Sequence, residues 1–407
     1  MPAKSFALSP AVLAYKLHAL PISKESTEPM TPAKTMTRVL DWQGAKDARA
    51  GVHEAVRALA AGELVGFPTE TVYGVAASAI IPAAVERLCQ GKGRPEGKPL
   101  TLAIGSASEL LDWVPDVSML GRRLARRLWP GPCTLVFNVD AARGLASRLP
   151  ESVRRRVCPA GTLGLRVPAH DAILHTLRQF AGPLVLSSAN RSGEPPAVTA
   201  EEVLQAMDDD VDLVINDGAC KFGQPSTVVH VDGNVWKVLR EGVLSAAEIQ
   251  RQAARLLVFV CTGNTCRSPM AEAFCKKLLA EQLGCQPQEL PERGFIVLSA
   301  GLAAMMGGRA AAEAVEVACE YGADLTQHSS RPLTQRLVAQ ADDVIGMTGA
   351  HLAALAGHYP SAGTRFRLLS PEGEDLPDPI GCERLVYQQC AEQIMRHLRK
   401  LLPDLQQ

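Results

Sequence analysis

The sequence predicts an α/β protein made of two consecutive domains. The chain has 407 residues, more than one hydrophobic core usually supports, because domains commonly hold roughly 100–200 residues. Helical spacing gives way to the short apolar run "LVGF" (64–67), and helices and strands continue to alternate to about residue 250. A second alternating series opens at the apolar run "RLLVFV" (255–260). Alternation of this kind is typical of α/β folds.

The composition is that of a globular protein without a general preference for polyanions or membranes. Hydrophobic residues make up 47% of the chain, charged residues 21%, and the formal net charge is −1. No apolar run reaches the roughly 18 residues of a membrane-spanning helix, and the N-terminus lacks a secretory leader pattern. The eleven cysteines form neither a CxxC pair nor a Cys/His cluster, which argues against disulfides and zinc. We therefore expect a cytoplasmic protein with no resident metal.

The N-terminal 35 residues differ in composition from the rest of the chain. The segment "LPISKESTEPMTPAKT" (20–35) is rich in Pro, Ser, Thr and Lys, a composition that buries too little apolar surface to become ordered. We predict a disordered tail, a first domain and a second domain, with the boundary in or beside the helix-like segment "SAAEIQRQAARL" (245–256). The predicted ranges are 1–35, 36–250 and 251–407.

The second domain shows the pattern of a parallel sheet with crossover helices. Strands are predicted at 255–260, 294–301 and 342–348. Helices are predicted at 269–283, about 309–322 and about 383–401. The first of these helices is expected to end at Gly284, since glycine is the common residue just past a helix C-terminus.

The stretch "VFVCTGNTCRSPMAE" (258–272) runs from a strand through a small polar loop into a helix, for which Ser268 suits the N-cap. Backbone N–H groups at a helix N-terminus bind phosphate oxygens and favour a nearby thiolate. Cys261 is therefore a candidate nucleophile. Arg267 can hold two oxygens of a transferring phosphoryl group in a bidentate fork, and Asp378 in "EDLPDPIG" is a candidate general acid.

These residues resemble the low-molecular-weight phosphatase family, whose C-x5-R-S loop and distant D-P loop they match in order. Further matches are "SAG" (299–301), "HSSRPLT" (328–334) and "DDVIGMT" (342–348), so that the resemblance covers essentially residues 255–405. It implies a Rossmann-like parallel-sheet domain that acts through a phosphocysteine intermediate and needs no cofactor. The implied phosphate loop consists of Cys261, Thr262, Gly263, Asn264, Thr265, Cys266, Arg267 and Ser268.

Thr265 bears on the substrate of this second domain. Tyrosine-directed members of the family typically carry an apolar residue there, and "CTGNTCRS" resembles the protein-arginine phosphatase branch. Ile380 stands where an aromatic residue often follows the D-P pair. We expect a phosphoprotein substrate with phosphoarginine preferred over phosphotyrosine; arsenate reductases of the same fold are a third option. Cys266 is either a packed small residue or, as in some relatives, an oxidation partner of Cys261.

The first domain carries six ordered motifs that resemble the YrdC-like threonylcarbamoyl-AMP synthases. They are "FPTETVYGVAA", "KGRPEGKPL", "WPGPCTLVF", "TLGLRVPAH", "LSSANRSGEPP" and "GQPSTVVHV...VLREG". The resemblance implies a twisted α/β sheet with a concave basic cleft. There L-threonine, bicarbonate and ATP, accompanied by Mg2+, would give threonylcarbamoyl-adenylate and pyrophosphate, and tRNA-modification machinery would take up the adenylate. Ala103 and Glu241 depart from residues common in the family.

The resemblance also assigns residues to the two substrates. The residues implied for threonine binding are Thr71, Arg166, Ser188 and Ser226. The residues implied for ATP binding are Lys92, Arg94, Lys98, Thr162, Asn190, Thr199 and Arg240. No obvious covalent nucleophile occurs among them, which suits an enzyme that mainly positions its reactants.

A bifunctional enzyme is the leading hypothesis, and an RNA-binding first domain attached to a tyrosine phosphatase is the alternative. Related domains can bind double-stranded RNA, so a contact with tRNA stays open. Aromatic residues make up only 4% of the chain, which poorly supports a stacking platform for single strands. A catalytic first domain is favoured over a non-catalytic RNA-binding domain by the motif residues Lys92, Arg94, Arg166 and Asn190.

Overall fold

The structure, a computed structural model, describes residues 36–44, 48–140, 142–207, 209–360, 362 and 365–406. The chain divides into two compact units after Ala246. The predicted tail over 1–35 lies outside the described residues, and the predicted domain limits of 36–250 and 251–407 stay predictions. In the described part of the chain, no helix combines the length and the apolar character that a membrane crossing requires.

The first unit is built on a mixed sheet that has ten strands in the described residues, in the order β1-β8-β2-β3-β7-β4-β6-β5-β9-β10. The strands are β1 (Arg38–Asp41), β2 (Val65–Phe67), β3 (Gly74–Ser78), β4 (Thr101–Ala103), β5 (Cys133–Asn138), β6 (Thr162–Arg166), β7 (Leu184–Ser188), β8 (Leu213–Asn216), β9 (Thr227–Asp232) and β10 (Val235–Arg240). Its helices are α1 (Ala48–Ala60), α2 (Pro82–Gly91), α3 (Leu110–Trp113), α4 (Met119–Leu128), α5 (Glu151–Val157), α6 (Asp171–Gln179) and α7 (Ala200–Met207). Helix α8 (Ala246–Ala253) begins at the division between the units.

Strands β3, β7 and β4 pair antiparallel at the centre of this sheet, whereas β4 pairs parallel with β6. These strands carry the motifs of the first domain at their ends. Apolar side chains of α1 and α6, among them Leu59 and Ile173, pack on Phe67 and Leu186 of the sheet. The α/β class predicted from the alternating pattern is confirmed.

The second unit contains a four-stranded, fully parallel sheet in the order β12-β11-β13-β14 within the described residues. The strands are β11 (Arg255–Cys261), β12 (Phe295–Gly301), β13 (Asp343–Gly346) and β14 (Arg365–Leu368). The helices are α9 (Arg267–Leu283), α10 (Ala312–Glu320), α11 (Gln335–Gln340), α12 (Gly349–His358) and α13 (Arg384–Gln406). The predicted parallel sheet is confirmed, and β14, α11 and α12 are additions that the sequence pattern did not predict.

Side chains alternate across β11 and so build one core on each face of the sheet. Leu257 and Phe259 pack in a cluster with residues of α9 and α13. Val258 and Val260 pack on the opposite face with residues of α11 and α12. Helices on both faces leave the carboxyl edge of the sheet open, and ligands usually bind at this edge in open α/β sheets.

Helix α9 begins two residues earlier than predicted. Its N-cap is Cys266, whose side chain makes no capping hydrogen bond, so the assignment of Ser268 as N-cap is wrong. Ser268 lies inside the first turn, and its hydroxyl points to the Cys261 thiol, 2.9 Å from Sγ. The other end of the helix is as predicted, since Gly284 adopts a left-handed conformation with φ 61°.

Candidate functional sites

The loop between β11 and α9 brings a cysteine and an arginine to the carboxyl edge of the parallel sheet. Cys261 ends the strand and Arg267 begins the helix, and both are buried, with 3% and 5% of their surface exposed. The Asn264 backbone N–H donates to the Cys261 sulfur over 3.2 Å, and the Ser268 hydroxyl contacts the same atom. Donors aimed at the sulfur suit a nucleophilic thiolate.

Asn264 shapes this loop. Its backbone has φ 56°, a left-handed conformation that asparagine tolerates better than most residues. Its amide nitrogen donates to the hydroxyls of Ser268 and Ser299 over 3.0 and 2.9 Å, and its Oδ1 accepts the Arg331 backbone N–H at 2.9 Å. Ser299 in turn donates to Glu272 over 2.6 Å. The loop is therefore held in shape by side chains before any ligand binds.

Arg267 connects the phosphate loop with the loop that carries Asp378. Its guanidinium forms an ion pair with Asp378, and Nη1 donates to the Leu376 carbonyl over 3.2 Å. Its Nε is buried without a hydrogen-bond partner among the described residues, which leaves a donor for a phosphate oxygen. Asp378 has 41% of its side chain exposed. The predicted nucleophile, phosphate-binding arginine and acid thus meet at one place, although the chain separates them widely.

His351 is a neighbour of this site that sequence reasoning missed. Its Nε2 lies 3.1 Å from the Thr262 hydroxyl and its Nδ1 lies 3.0 Å from the Thr348 hydroxyl. Burial, followed by the nearby charge of Arg267, lowers the pKa of His351. A single histidine on a short helix gives no signal in the sequence.

Cys266 is packed within the loop. Its sulfur lies 3.4 Å from the Tyr387 hydroxyl and 3.6 Å from the Thr265 hydroxyl, and burial raises the pKa of the Cys266 thiol. All eleven cysteines of the chain are described and free. The packed-residue interpretation of Cys266 fits this geometry, and its role as an oxidation partner stays a prediction.

The first unit contains a cavity of about 660 Å³ between the ends of its central strands. Many of the residues predicted for threonine or ATP line it. They are Arg94, Lys98, Thr162, Arg166, Ser188, Asn190, Ser226 and Arg240. Four of these carry a cationic side chain, and the carboxylate residue Glu194 also lines the cavity. Such a wall suits a polyphosphate.

Lys92 is not among the described residues that line the cavity. It is buried, with 2% of its surface exposed, and its ammonium donates to the carbonyls of Ser188 and Asn190. Burial lowers the pKa of Lys92 to about 8, and the charges of Arg94 and Lys98 act in the same direction. Lys92 thereby fixes the main chain of two lining residues, and its predicted contact with ATP stays a prediction.

Thr71 and Thr199 are likewise not among the described lining residues. The Thr71 hydroxyl accepts a hydrogen bond from Arg166 over 2.9 Å. The Thr199 hydroxyl accepts the Glu202 backbone N–H over 3.3 Å at the start of α7. Their predicted ligand roles stay predictions.

Glu70 is a second residue that sequence reasoning missed. Its Oε1 accepts a hydrogen bond from Arg166 Nη2 over 2.8 Å, and its Oε2 accepts the Ala169 backbone N–H over 2.9 Å. The side chains of Glu70 and Arg166 are 7% and 8% exposed. The carboxylate thus orients the arginine predicted to bind threonine. The motif "PTETVYG" contains Glu70, but a glutamate in a polar turn is usually exposed.

Replacing Glu70 with alanine is expected to destabilise the first unit by about 3–5 kcal/mol, because it leaves a buried guanidinium without its counter-charge. The four tryptophans lie at positions 42, 113, 129 and 236, all in the first unit, so tryptophan fluorescence in urea reports on this unit. Asp116→Ala is the control, since it removes an exposed partner of Arg143 and should leave the midpoint nearly unchanged. Equal midpoints for the two variants would contradict the assigned role.

The fold and the two sites define an enzyme of two catalytic units, one with a cation-lined cavity and one with a cysteine phosphate loop. A family model described as "Telomere recombination", for Sua5, YciO and YrdC proteins, matches residues 57–242. The model described as "Low molecular weight phosphotyrosine protein phosphatase" matches residues 256–407.

Similar proteins include the threonylcarbamoyl-AMP synthase of Chromohalobacter salexigens, 35% identical over 44% of this chain and 90% of the relative. The synthase of Pyrococcus abyssi is 36% identical over 47% of this chain, which spans 53% of that relative's length. A solved YwlE arginine phosphatase from Geobacillus stearothermophilus is 31% identical, with a TM-score of 0.33, over 37% of this chain and 93% of that chain. This chain belongs to the threonylcarbamoyl-AMP synthase family through its first unit, and its second unit is a low-molecular-weight phosphatase domain.

Proposed function

We propose that the first unit makes threonylcarbamoyl-adenylate and pyrophosphate from L-threonine, bicarbonate and ATP. The observation that carries this proposal is the cavity wall with Arg94, Lys98, Arg166 and Arg240. In this proposal Arg166, which is held by Glu70, pairs with the threonine carboxylate, and the other cations contact the triphosphate.

In the proposed reaction, the threonine amine first attacks the carbon of bicarbonate, an N–C bond forms, a C–O bond breaks, and a carbamate and water result. A carbamate oxygen attacks the α-phosphorus of ATP, the new P–O bond forms, and the bond to the β-phosphate breaks. The cations of the wall neutralise the charge that builds on the departing pyrophosphate. Magnesium is expected to arrive with ATP, and the Glu194 carboxylate on the wall is of a ligand type that fits it. The adenylate would then serve tRNA modification in the cytoplasm.

For the second unit, we infer a phosphatase that works through Cys261, Arg267 and Asp378. The thiolate attacks phosphorus while the bond to the leaving nitrogen or oxygen breaks, and Asp378 gives its proton to the leaving atom. Water then attacks the phosphocysteine, returns a proton to Asp378 and releases phosphate. The assembly of these three side chains around one loop supports the proposal.

We propose phosphoarginine as the preferred substrate of this site. Thr265 is half-buried on the loop, and its hydroxyl contacts Cys266 rather than offering an apolar wall. Ile380, after the D-P pair, is 63% exposed and presents no aromatic ring for stacking on a phosphotyrosine. A pocket with a small polar wall therefore fits the planar, cationic phosphoguanidinium of phosphoarginine better than it fits the aromatic ring of phosphotyrosine.

Replacing Thr265 with isoleucine is expected to lower the preference for phosphoarginine over phosphotyrosine peptides by about tenfold, a typical size for a change of one or two carbon groups in a pocket. The measured quantity is the ratio of the two kcat/KM values. Thr265→Ser keeps the hydroxyl and is the matched control, for which the ratio should stay close to that of the native chain. An unchanged ratio in Thr265→Ile would show that this residue does not select the substrate.

A further inference from the structure

The loop before and around Asp378 is fastened to the last helix by charged side chains that no part of the proposed mechanism uses. We call residues 370–381 the acid loop. Five side chains form the cluster, here called the clamp. They are Glu372 and Glu374 of the acid loop and Arg396, His397 and Lys400 of α13.

Both carboxylates of the clamp face cations of α13. Glu372 Oε1 forms an ion pair with the Lys400 ammonium. Glu374 Oε2 lies 3.0 Å from Arg396 Nη2. Each pair is exposed to solvent, and a single pair of this kind contributes little. Two pairs that join the same loop to the same helix act together, because fixing one reduces the freedom lost in fixing the other.

His397 lies at the centre of the clamp. It is 3% exposed, with Nδ1 at 3.5 Å from Glu372 Oε2 and Nε2 at 3.7 Å from Glu374 Oε2. The Arg396 guanidinium, which can only donate hydrogen bonds, lies 3.5 Å from His397 Nε2. This buried Nδ1 has no hydrogen-bond partner among the described residues. The Glu372 carboxylate of the acid loop faces this nitrogen from 3.5 Å.

Further contacts hold the part of the acid loop that lies between the clamp and Asp378. Asp375 Oδ1 accepts a hydrogen bond from the Gly349 backbone N–H over 2.6 Å. The Leu376 backbone N–H donates to the Met347 carbonyl over 2.9 Å. Asp378 follows two residues later between Pro377 and Pro379, whose rings restrict the backbone. The clamp and these two contacts therefore act together to hold the short segment that leads to Asp378.

We propose that the clamp sets the position of Asp378 for proton transfer, with His397 as its central positioning residue. The inference rests on the proposed phosphatase function of the second unit. Proton transfer from Asp378 matters most when the leaving group is a poor one. A displaced acid should therefore slow the cleavage of poor leaving groups and spare good ones, whereas a merely structural defect would slow both alike.

The test uses the full chain with Glu372 and Glu374 both replaced by glutamine. The probes are phenyl phosphate, whose leaving group needs a proton, and 2,4-dinitrophenyl phosphate, whose leaving group does not. We expect the ratio of kcat/KM for the dinitrophenyl ester to that for the phenyl ester to rise about fivefold, a part of the 10²–10⁴ that general acid catalysis supplies. Asp378→Asn should raise the same ratio further.

Glu320→Gln is the matched control, because Glu320 also pairs with α13, through Arg384, but belongs to α10 and not to the acid loop. An unchanged ratio in the double variant, or an equal rise in Glu320→Gln, would overturn the inference. If the double variant does not fold, Glu374→Gln alone removes one exposed carboxylate and gives the same test. His397→Asn should raise the ratio as well. Failure of the native chain to hydrolyse either ester would instead refute the proposed phosphatase function.

Discussion

Replacing Cys261 with serine is expected to abolish phosphate release from phosphorylated substrates and to leave the fold intact. Serine occupies nearly the same volume, and the Asn264 N–H and the Ser268 hydroxyl still have an oxygen to contact. An alcohol without a general base is a far weaker nucleophile than a thiolate at neutral pH. We expect turnover to fall at least about 10⁴-fold, the scale seen when a covalent nucleophile is removed.

Phosphate release from phosphoarginine and phosphotyrosine peptides checks this result, with circular dichroism to confirm folding. Cys319→Ser is the matched control, because Cys319 is free and exposed on α10. It should keep full activity. A Cys261→Ser chain that retains more than about a hundredth of native turnover would refute covalent catalysis by this residue.

Replacing Arg94 with alanine is expected to reduce pyrophosphate release from ATP by about 10²–10³-fold, the usual cost of losing one preorganised charge at a transition state. Arg94 lines the cavity, with Nη1 at 3.4 Å from the Ser187 hydroxyl and Nε at 3.2 Å from the Lys98 carbonyl. These contacts hold the Arg94 guanidinium at the surface of the cavity. Alanine at this position would remove the positive charge that is proposed to meet the phosphates of ATP.

Pyrophosphate release that depends on ATP, threonine and bicarbonate together is the measurement. Arg57→Ala is the control, since Arg57 is 76% exposed on α1 and pairs only locally with Glu54 in the described contacts. An unchanged rate of pyrophosphate release in Arg94→Ala would refute the proposed ATP site. No dependence on threonine and bicarbonate in the native chain would favour the alternative of an RNA-binding domain.

The candidate catalytic residues of the second unit could be selected from the sequence because the chemistry proposed for them constrains their neighbours. A nucleophile and its arginine must lie at the two ends of one short strand-to-helix loop, so Cys261 and Arg267 occur at fixed spacing. Asp378, between two prolines, was selected as the candidate acid and stays a prediction. The role of Ser268 was missed because the same hydroxyl can cap a helix or contact a thiol, and only the fold decides between them.

Contacts between distant side chains were beyond sequence reasoning in the first unit. The cations of its motifs were predicted to meet ATP or threonine, and these roles stay predictions. The motifs did not indicate that Lys92 donates to main-chain carbonyls or that Arg166 pairs with Glu70. A motif gives residue types and spacing but not burial. Helix and strand alternation likewise predicted the α/β class, whereas the directions of short strands such as β2 and β4 depend on tertiary packing.

The most direct test of two independent active sites on one chain is to measure both activities on the native protein, on Cys261→Ser and on Arg94→Ala. We expect the native chain to release pyrophosphate from ATP with threonine and bicarbonate and to dephosphorylate the peptides. Cys261→Ser should lose the phosphatase activity and keep pyrophosphate release, and Arg94→Ala should show the reverse. A native chain that lacks either activity, or a single substitution that removes both, would contradict this account.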